Sequence, residues 1–178
     1  IGYKVDSLND LGVMYYDGYG VCQDFDKAFY YYHMAAEKGS KKAQGNLGYC
    51  YYYGRSVDID YEKAYHFFVL GALSGEINSL YKIGDMYLNG YYVKKNELEA
   101  FRIYEQCMNM ISEEDEKFVA GPVYLRLGNA WCYGLGTQPN FETALYCYQK
   151  AELFLIGMIQ RGDVMYKASL KAAIDGQK

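Results

Sequence analysis

The sequence predicts an all-α fold: a solenoid of about four helix–turn–helix repeats closed by a C-terminal capping helix. Three observations predict it. A Leu/Ile-Gly pair returns as Leu11-Gly12, Leu47-Gly48, Ile83-Gly84 and Leu127-Gly128, at intervals of 36, 36 and 44 residues. A second glycine follows each pair (Gly18, Gly54, Gly90, Gly134), and an alanine keeps the same phase (Ala28, Ala64, Ala100, Ala144). Periods of this size mark stacked arrays rather than closed globules. An array offers a long surface to a partner and seldom encloses a catalytic pocket.

The first helix of each unit carries an aliphatic and an aromatic residue four apart: Leu11 and Tyr15, Leu47 and Tyr51, Ile83 and Tyr87, Leu127 and Trp131. That spacing places both on one helical face. The glycine beside them costs about 1 kcal/mol of helix propensity against alanine. Its return in every unit therefore predicts a packing need, a backbone that a neighbouring helix approaches closely. Gly18-Tyr19-Gly20 and Gly134-Leu135-Gly136 predict left-handed helix ends. Asp24, Asp60, Asn96 and Asn140 follow in phase as N-caps, and Asn96 with Glu99 has capping-box spacing. The second helices carry alternating small and large residues, as in Ala28, Tyr32, Ala35 and Ala36, or Ala64, Phe68, Gly71 and Ala72.

The third interval is longer because of residues between Asn109 and Pro122, which include the acidic run Glu113-Glu114-Asp115-Glu116. The matching stretch of the fourth unit, Ala151 to Tyr166, is long and apolar. Both predict extended second helices. Asp163 is expected to cap a last helix reaching about Asp175, with Met165, Ala168, Leu170, Lys171 and Ala172 covering the open end. Residues 1–178 then form a single repeat domain, with units at about 7–42, 43–78, 79–122 and 123–162 and the capping helix at 163–175. Ile1-Gly2-Tyr3 reads as the tail of an earlier second helix, so the chain is expected to be a piece of a longer or processed protein.

Ala43, Leu47-Gly48, Tyr51, Gly54, Asp60-Tyr61-Glu62-Lys63-Ala64 and Gly75 form a spaced pattern that resembles the Sel-one-like repeat, a branch of the tetratricopeptide-like superfamily. The first unit resembles it more closely still, with Leu11-Gly12, Tyr15, Gly18, Gly20-Val21, Asp24, Lys27-Ala28, Tyr32, Ala35-Ala36 and Gly39. The likeness covers roughly residues 7–155. The later units depart from it: Tyr92 stands where a second glycine is expected, Glu99 precedes Ala100 in place of a basic residue, and Met108 and Ile111 replace an alanine and a glycine. The resemblance implies a right-handed α/α superhelix and a non-enzymatic adaptor that binds a peptide or protein segment. Some relatives look like hydrolases of cell-wall or β-lactam ligands, which gives an alternative function. A purely structural spacer is a third.

Composition narrows the classes further. A net charge of −4 without a lysine/arginine block speaks against nucleic acid. No apolar run approaches the ~20 residues that cross a bilayer, so no membrane insertion is expected. Two prolines suit a nearly all-helical chain. The five cysteines, Cys22, Cys50, Cys107, Cys132 and Cys147, share no repeat phase. They read as free, buried thiols of a reducing compartment, which favours the cytoplasm, with one Cys132–Cys147 bridge as the alternative. Secretion stays open because the true start is expected to lie outside the sequence. The Tyr-, Lys- and Asn-leaning composition suits a bacterial chain.

The residues carry no catalytic, cofactor or metal signature. His33 and His66 occupy different phases without a second histidine one turn away, and no nucleophile-elbow or phosphate-loop motif occurs. The chain is therefore expected not to be an enzyme. Of 23 tyrosines, those in repeat-consensus phases belong to the core: Tyr15, Tyr32, Tyr51, Tyr87, Tyr104 and Tyr148, together with Phe68 and Trp131. The superfamily resemblance places first helices on the concave surface. It thereby implies a binding groove made of Asn9, Val13 and Tyr16; Tyr49, Tyr52 and Tyr53; Tyr81, Asp85 and Leu88; and Arg126, Asn129 and Tyr133. Tyrosine supplies rigid contact area with a polar tip, which suits an extended peptide.

Overall fold

The computed structural model describes residues 2–113 and 116–177. Among them are nine α-helices: α1 (Gly2–Asp17), α2 (Phe25–Glu37), α3 (Lys41–Tyr53), α4 (Tyr61–Leu73), α5 (Ile77–Asn89), α6 (Glu97–Met110), α7 (Glu116–Tyr133), α8 (Phe141–Gln160) and α9 (Lys167–Asp175). The chain forms two compact units, Ile1–Ile83 and Gly84–Lys178. In the first, α1 packs on α2, α2 on α3, and α3 on α4. In the second, α6 packs on α7, α7 on α8, and α9 on both α7 and α8. The all-helical repeat architecture expected from the sequence is the one observed.

The recurring glycine has the role its recurrence implied. In each pair an aromatic ring of the second helix lies on the bare backbone of the first: Tyr32 on Gly12, Phe68 on Gly48, Tyr104 on Gly84 and Tyr148 on Gly128. A Cβ at these glycines would come within 2.5–2.7 Å of a ring carbon. The four rings are buried, as are the in-phase alanines Ala28, Ala64, Ala100 and Ala144. Their partners on the first helices, Tyr15, Tyr51, Tyr87 and Trp131, are only half-buried. Three of these flank the core by ring contacts, Tyr15 on Tyr31, Tyr51 on Phe67 and Trp131 against Phe101.

The turns and caps follow the repeat phase. The side chains of Asp24, Asp60, Asn96 and Asn140 accept from the backbone N–H groups of Lys27, Lys63, Glu99 and Thr143 at 2.9–3.0 Å. Gly20 and Gly136 have φ of 73° and 77°, and at the same phase Ser56 and Tyr92 adopt φ of 70° and 62°. The third unit thus keeps its turn geometry without the second glycine, at a local cost of about 1–2 kcal/mol for a non-glycine residue.

The helix ends of the last two units differ from expectation. The second helix of the third unit is not extended: α6 stops at Met110, and Ile111 is extended, with φ −69° and ψ 118°. Ile111 holds the phase of Gly39 and Gly75, whose φ values are 87° and 89°. A β-branched residue resists that left-handed conformation, so the chain leaves the helix by another route. The added length goes into this exit and into the start of α7, which runs through Pro122. Of the acidic run, Glu114 and Asp115 lie outside the described residues. The fourth unit does have the expected long second helix, α8, whose added turns bury Ala151, Leu155 and Met158. Asp163 does not cap the last helix by its side chain. Its carbonyl accepts from the Tyr166 N–H at 3.1 Å, within a 3-10 turn at Val164–Tyr166. Tyr166 of that turn and Leu170 and Ala173 of α9 cover the core, while Met165, Ala168, Lys171 and Ala172 are exposed.

Gly128→Ala is expected to lower stability by about 1–3 kcal/mol, the cost of overpacking a close contact, although alanine is the better helix former by about 1 kcal/mol. Urea unfolding followed by circular dichroism measures it. A stabilised variant would contradict the ring-on-glycine contact.

Candidate functional site

One phase of the first helix, two residues before the glycine, supplies a set of polar clasps. Asn46, Lys82 and Arg126 share it, and each reaches a residue of the preceding first helix. Asn46 Nδ2 donates to Asn9 Oδ1 at 2.9 Å. Lys82 Nζ donates to the Tyr53 hydroxyl at 2.7 Å. Arg126 Nε and Nη2 donate to the two carboxylate oxygens of Asp85 at 2.5 and 2.6 Å.

In the compact unit Ile1–Ile83 the Lys82 clasp is embedded in tyrosines. The Lys82 ammonium lies 4.7 Å from the Tyr52 ring centre, 4.9 Å from Tyr53 and 5.7 Å from Tyr49. Ring faces are electron-rich, and a desolvated cation held there gains on the order of 2 kcal/mol. Lys82 is only 5% exposed. Arg55 continues the alternation, with its guanidinium 4.7 Å from Tyr16, 4.8 Å from Phe25 and 5.1 Å from Tyr53. Tyr49 donates to the Asn78 carbonyl at 3.3 Å and lies 3.2 Å from the Tyr81 hydroxyl. Of the expected groove residues here, Asn9, Tyr16 and Tyr81 are buried, Val13, Tyr49 and Tyr52 are half-buried, and Tyr53 is exposed. Burial raises the Tyr16 phenol above its ordinary pKa.

In the compact unit Gly84–Lys178 Asp85 and Arg126 form the clasp. Asp85 also accepts from the Tyr104 hydroxyl at 3.0 Å, and Arg126 Nη1 donates to the Pro122 carbonyl at 2.9 Å. A fork-to-fork arrangement of this kind is both strong and directional. Asn129, one position after Gly128, accepts from the Tyr148 hydroxyl at 2.9 Å, as Asp85 does from Tyr104 one position after Gly84. Leu88, Arg126, Asn129 and Tyr133 border a cavity of about 260 Å³ whose other walls include Ala100, Ala130 and Leu135. Leu88, Arg126 and Asn129 are half-buried, Asp85 is buried and Tyr133 is exposed. The structure thus brings together two clusters of the expected residues, Tyr49, Tyr52, Tyr53 and Tyr81 in one unit and Asp85, Leu88, Arg126, Asn129 and Tyr133 in the other.

Elsewhere one carboxyl and three thiols are part of the packing. The Glu76 carboxyl is tucked against Gly45 and near Gly71 and accepts from Ser79 Oγ at 3.2 Å. Burial raises its pKa to about 7, against the lowering effects of the Ser79 bond and of Lys42. Burial also pushes the Cys50 and Cys107 thiols up to about 12 and Cys147 to about 11. All five cysteines are free. Among the described residues no His/Cys/Asp/Glu group is placed to hold a metal, and no helix is long and apolar enough to cross a membrane.

The first helices, glycine seats and clasps recur at the spacing of a known repeat. The family model described as Sel1 repeat matches residues 5–40, 41–76, 77–106 and 122–152. The chain belongs to the Sel1 repeat family. Two solved structures share the fold of this Sel1 repeat protein. A protective antigen present in uropathogenic Escherichia coli strains, displaying an SLR fold, has a TM-score of 0.64 at 21% identity and covers 97% of this chain. A Sel1 repeat protein from Oxalobacter formigenes has a TM-score of 0.58 at 24% identity, over 97% of this chain and 84% of its own. The chain spans 37% of the length of the Escherichia coli antigen. A comparison with curated proteins finds no match.

Sequence reasoning missed Lys82 and Arg55, and it gave Arg126 to a partner rather than to Asp85. A signal was present: Lys82 interrupts the apolar stretch Leu80-Tyr81 and Ile83-Gly84 at the phase of Arg126.

Two outcomes follow. Arg126→Met strands the mostly buried Asp85 carboxylate and is expected to cost about 3–5 kcal/mol in urea unfolding, while Asp85→Leu in the same chain restores most of the loss. Glu76 protonates more readily folded than unfolded, so its effect is absent below pH about 4.5 and grows as pH rises to about 7. Stability is expected to fall across that window by about 3 kcal/mol at most. Glu76→Gln should flatten that part of the pH–stability profile.

Proposed function

We propose that this Sel1 repeat protein is a non-enzymatic adaptor that binds a peptide or protein segment on the first-helix faces of its units. The observation that carries the reading is the pair Tyr53 and Tyr133. They share one repeat phase, as the last residues of α3 and α7, and remain 44% and 69% exposed. Tyr53 is also held in place by Lys82 and Arg55. A rigid exposed tyrosine gives contact area at little entropic cost and is a common anchor at protein interfaces. The free, largely buried thiols support a reducing compartment such as the cytoplasm.

The hydrolase alternative needs an accessible nucleophile or a pair of carboxylates. Glu76 has the raised pKa, but the Ser79 hydroxyl beside it is fully buried, which favours a packing role. The spacer alternative predicts that neither tyrosine matters to any partner.

The test is affinity capture from native-host lysate, read by mass spectrometry, with the wild type beside a Tyr53→Ala/Tyr133→Ala variant of unchanged helix content. A protein retained by the wild type and lost by the variant is expected. Equal capture would sink the assignment to these faces.

A further inference from the structure

The expected groove includes three polar residues, Asn9, Arg126 and Asn129, that carry hydrogen-bond donors suited to a partner's backbone. Two are consumed within the fold, Asn9 by Asn46 and Arg126 by Asp85 and the Pro122 carbonyl. Asn129 is different. Its Oδ1 accepts from the hydroxyl of Tyr148, a ring fixed over Gly128. That bond sets the amide orientation and leaves Nδ2 as a donor pair with no acceptor among the described residues. Asn129 borders the cavity of about 260 Å³, whose walls are mostly aliphatic and aromatic. The charges at its edge are closed in pairs, Arg126 with Asp85 and Glu97 with Lys95 at 2.8 Å.

We infer that this cavity takes one leucine-, methionine- or phenylalanine-sized side chain of an extended partner segment, whose backbone carbonyl accepts from Asn129 Nδ2. The inference rests on the adaptor reading and names the chemistry of its partner. A volume of about 260 Å³ lies below the ~300–1,000 Å³ of pockets that enclose drug-sized ligands, which fits a single side chain. Apolar walls favour an uncharged occupant. An acidic side chain would meet Glu97, while Arg126 is already engaged by Asp85. A basic one would lose its hydration beside the Glu97 carboxylate, which already pairs with Lys95. The fixed amide selects an acceptor, and every residue of an extended chain carries one in its carbonyl.

The probes are N-acetyl, N-methylamide derivatives of leucine, alanine, glutamate and lysine, titrated into the full chain and read by NMR at the Asn129 side-chain amide. The leucine amide is expected to shift those signals saturably, and the alanine amide to bind about tenfold more weakly or worse. Asn129→Asp keeps an acceptor for the Tyr148 hydroxyl, as Asp85 does for Tyr104, and removes the donors. It is expected to weaken leucine-amide binding about tenfold with unchanged thermal unfolding. Tyr133→Ala, at an exposed wall position, should weaken it as well. Glutamate or lysine amides binding as tightly as leucine, or no shift at Asn129, would overturn the inference. If the leucine amide fails while partner capture still depends on Tyr53 and Tyr133, the adaptor stands and this cavity is excluded. If it binds at Asn129 while capture ignores both tyrosines, the cavity stands as a site and the adaptor reading falls.

Discussion

A ring laid on bare backbone sets the geometry of each helix pair. Tyr32, Phe68, Tyr104 and Tyr148 each occupy the space that a Cβ would fill at Gly12, Gly48, Gly84 and Gly128. The contact draws two helices together at one defined height, and the rest of the unit depends on that height. It brings the in-phase alanines into the core, and it fixes where the first helix ends and the turn begins. It also decides what lies beside the ring's outer edge. In the third and fourth units that edge is a hydroxyl, and it meets Asp85 or Asn129. In the second unit it is the unsubstituted edge of Phe68, and the neighbouring position holds Tyr49, packed edge-to-face at 5.2 Å between ring centres.

A second constraint is polar. First helices are joined by a donor at one phase, but the chemistry changes from an amide pair to a caged ammonium to a forked ion pair. Each is costly to leave half-made, since an isolated polar group in a dry contact loses its hydration without return. This accounts for the placement of several residues whose side chains have the chemistry to serve a ligand. Asn9, Arg126 and Asp85 hold the scaffold, so the proposed partner surface narrows to the tyrosines at the helix ends and the amide of Asn129.

The repeat itself was legible because its signals are local and recur. Gly48 with Tyr51, Asp60 with Lys63, and Gly134 with Gly136 each lie within a few residues, and their phase could be checked against the other units. The exit at Ile111 was not read correctly, because one β-branched residue at a glycine position changes the route of the chain while apolar composition continues. The partners within the clasps were not legible for another reason. Lys82 and Tyr53 are 29 residues apart and Arg126 and Asp85 are 41 apart, and nothing in either residue alone names its partner. The face of the last helix was misjudged because alanines at 168, 172 and 173 look alike in sequence, whereas only Ala173 is buried.

Helical arrays are often treated as strings of interchangeable modules, grown by copying a unit. The clasps argue against that view for this chain. A duplicated third unit would set Lys82 of the copy beside Asn89, which stands at the phase of Tyr53, without the tyrosine cage it now fills. A chain with that unit removed would bring Arg126 to Tyr49, at the phase of Asp85, and leave its guanidinium without a carboxylate. The order of the units is therefore written into one residue per first helix, and a change in copy number carries a penalty until that residue is rewritten as well.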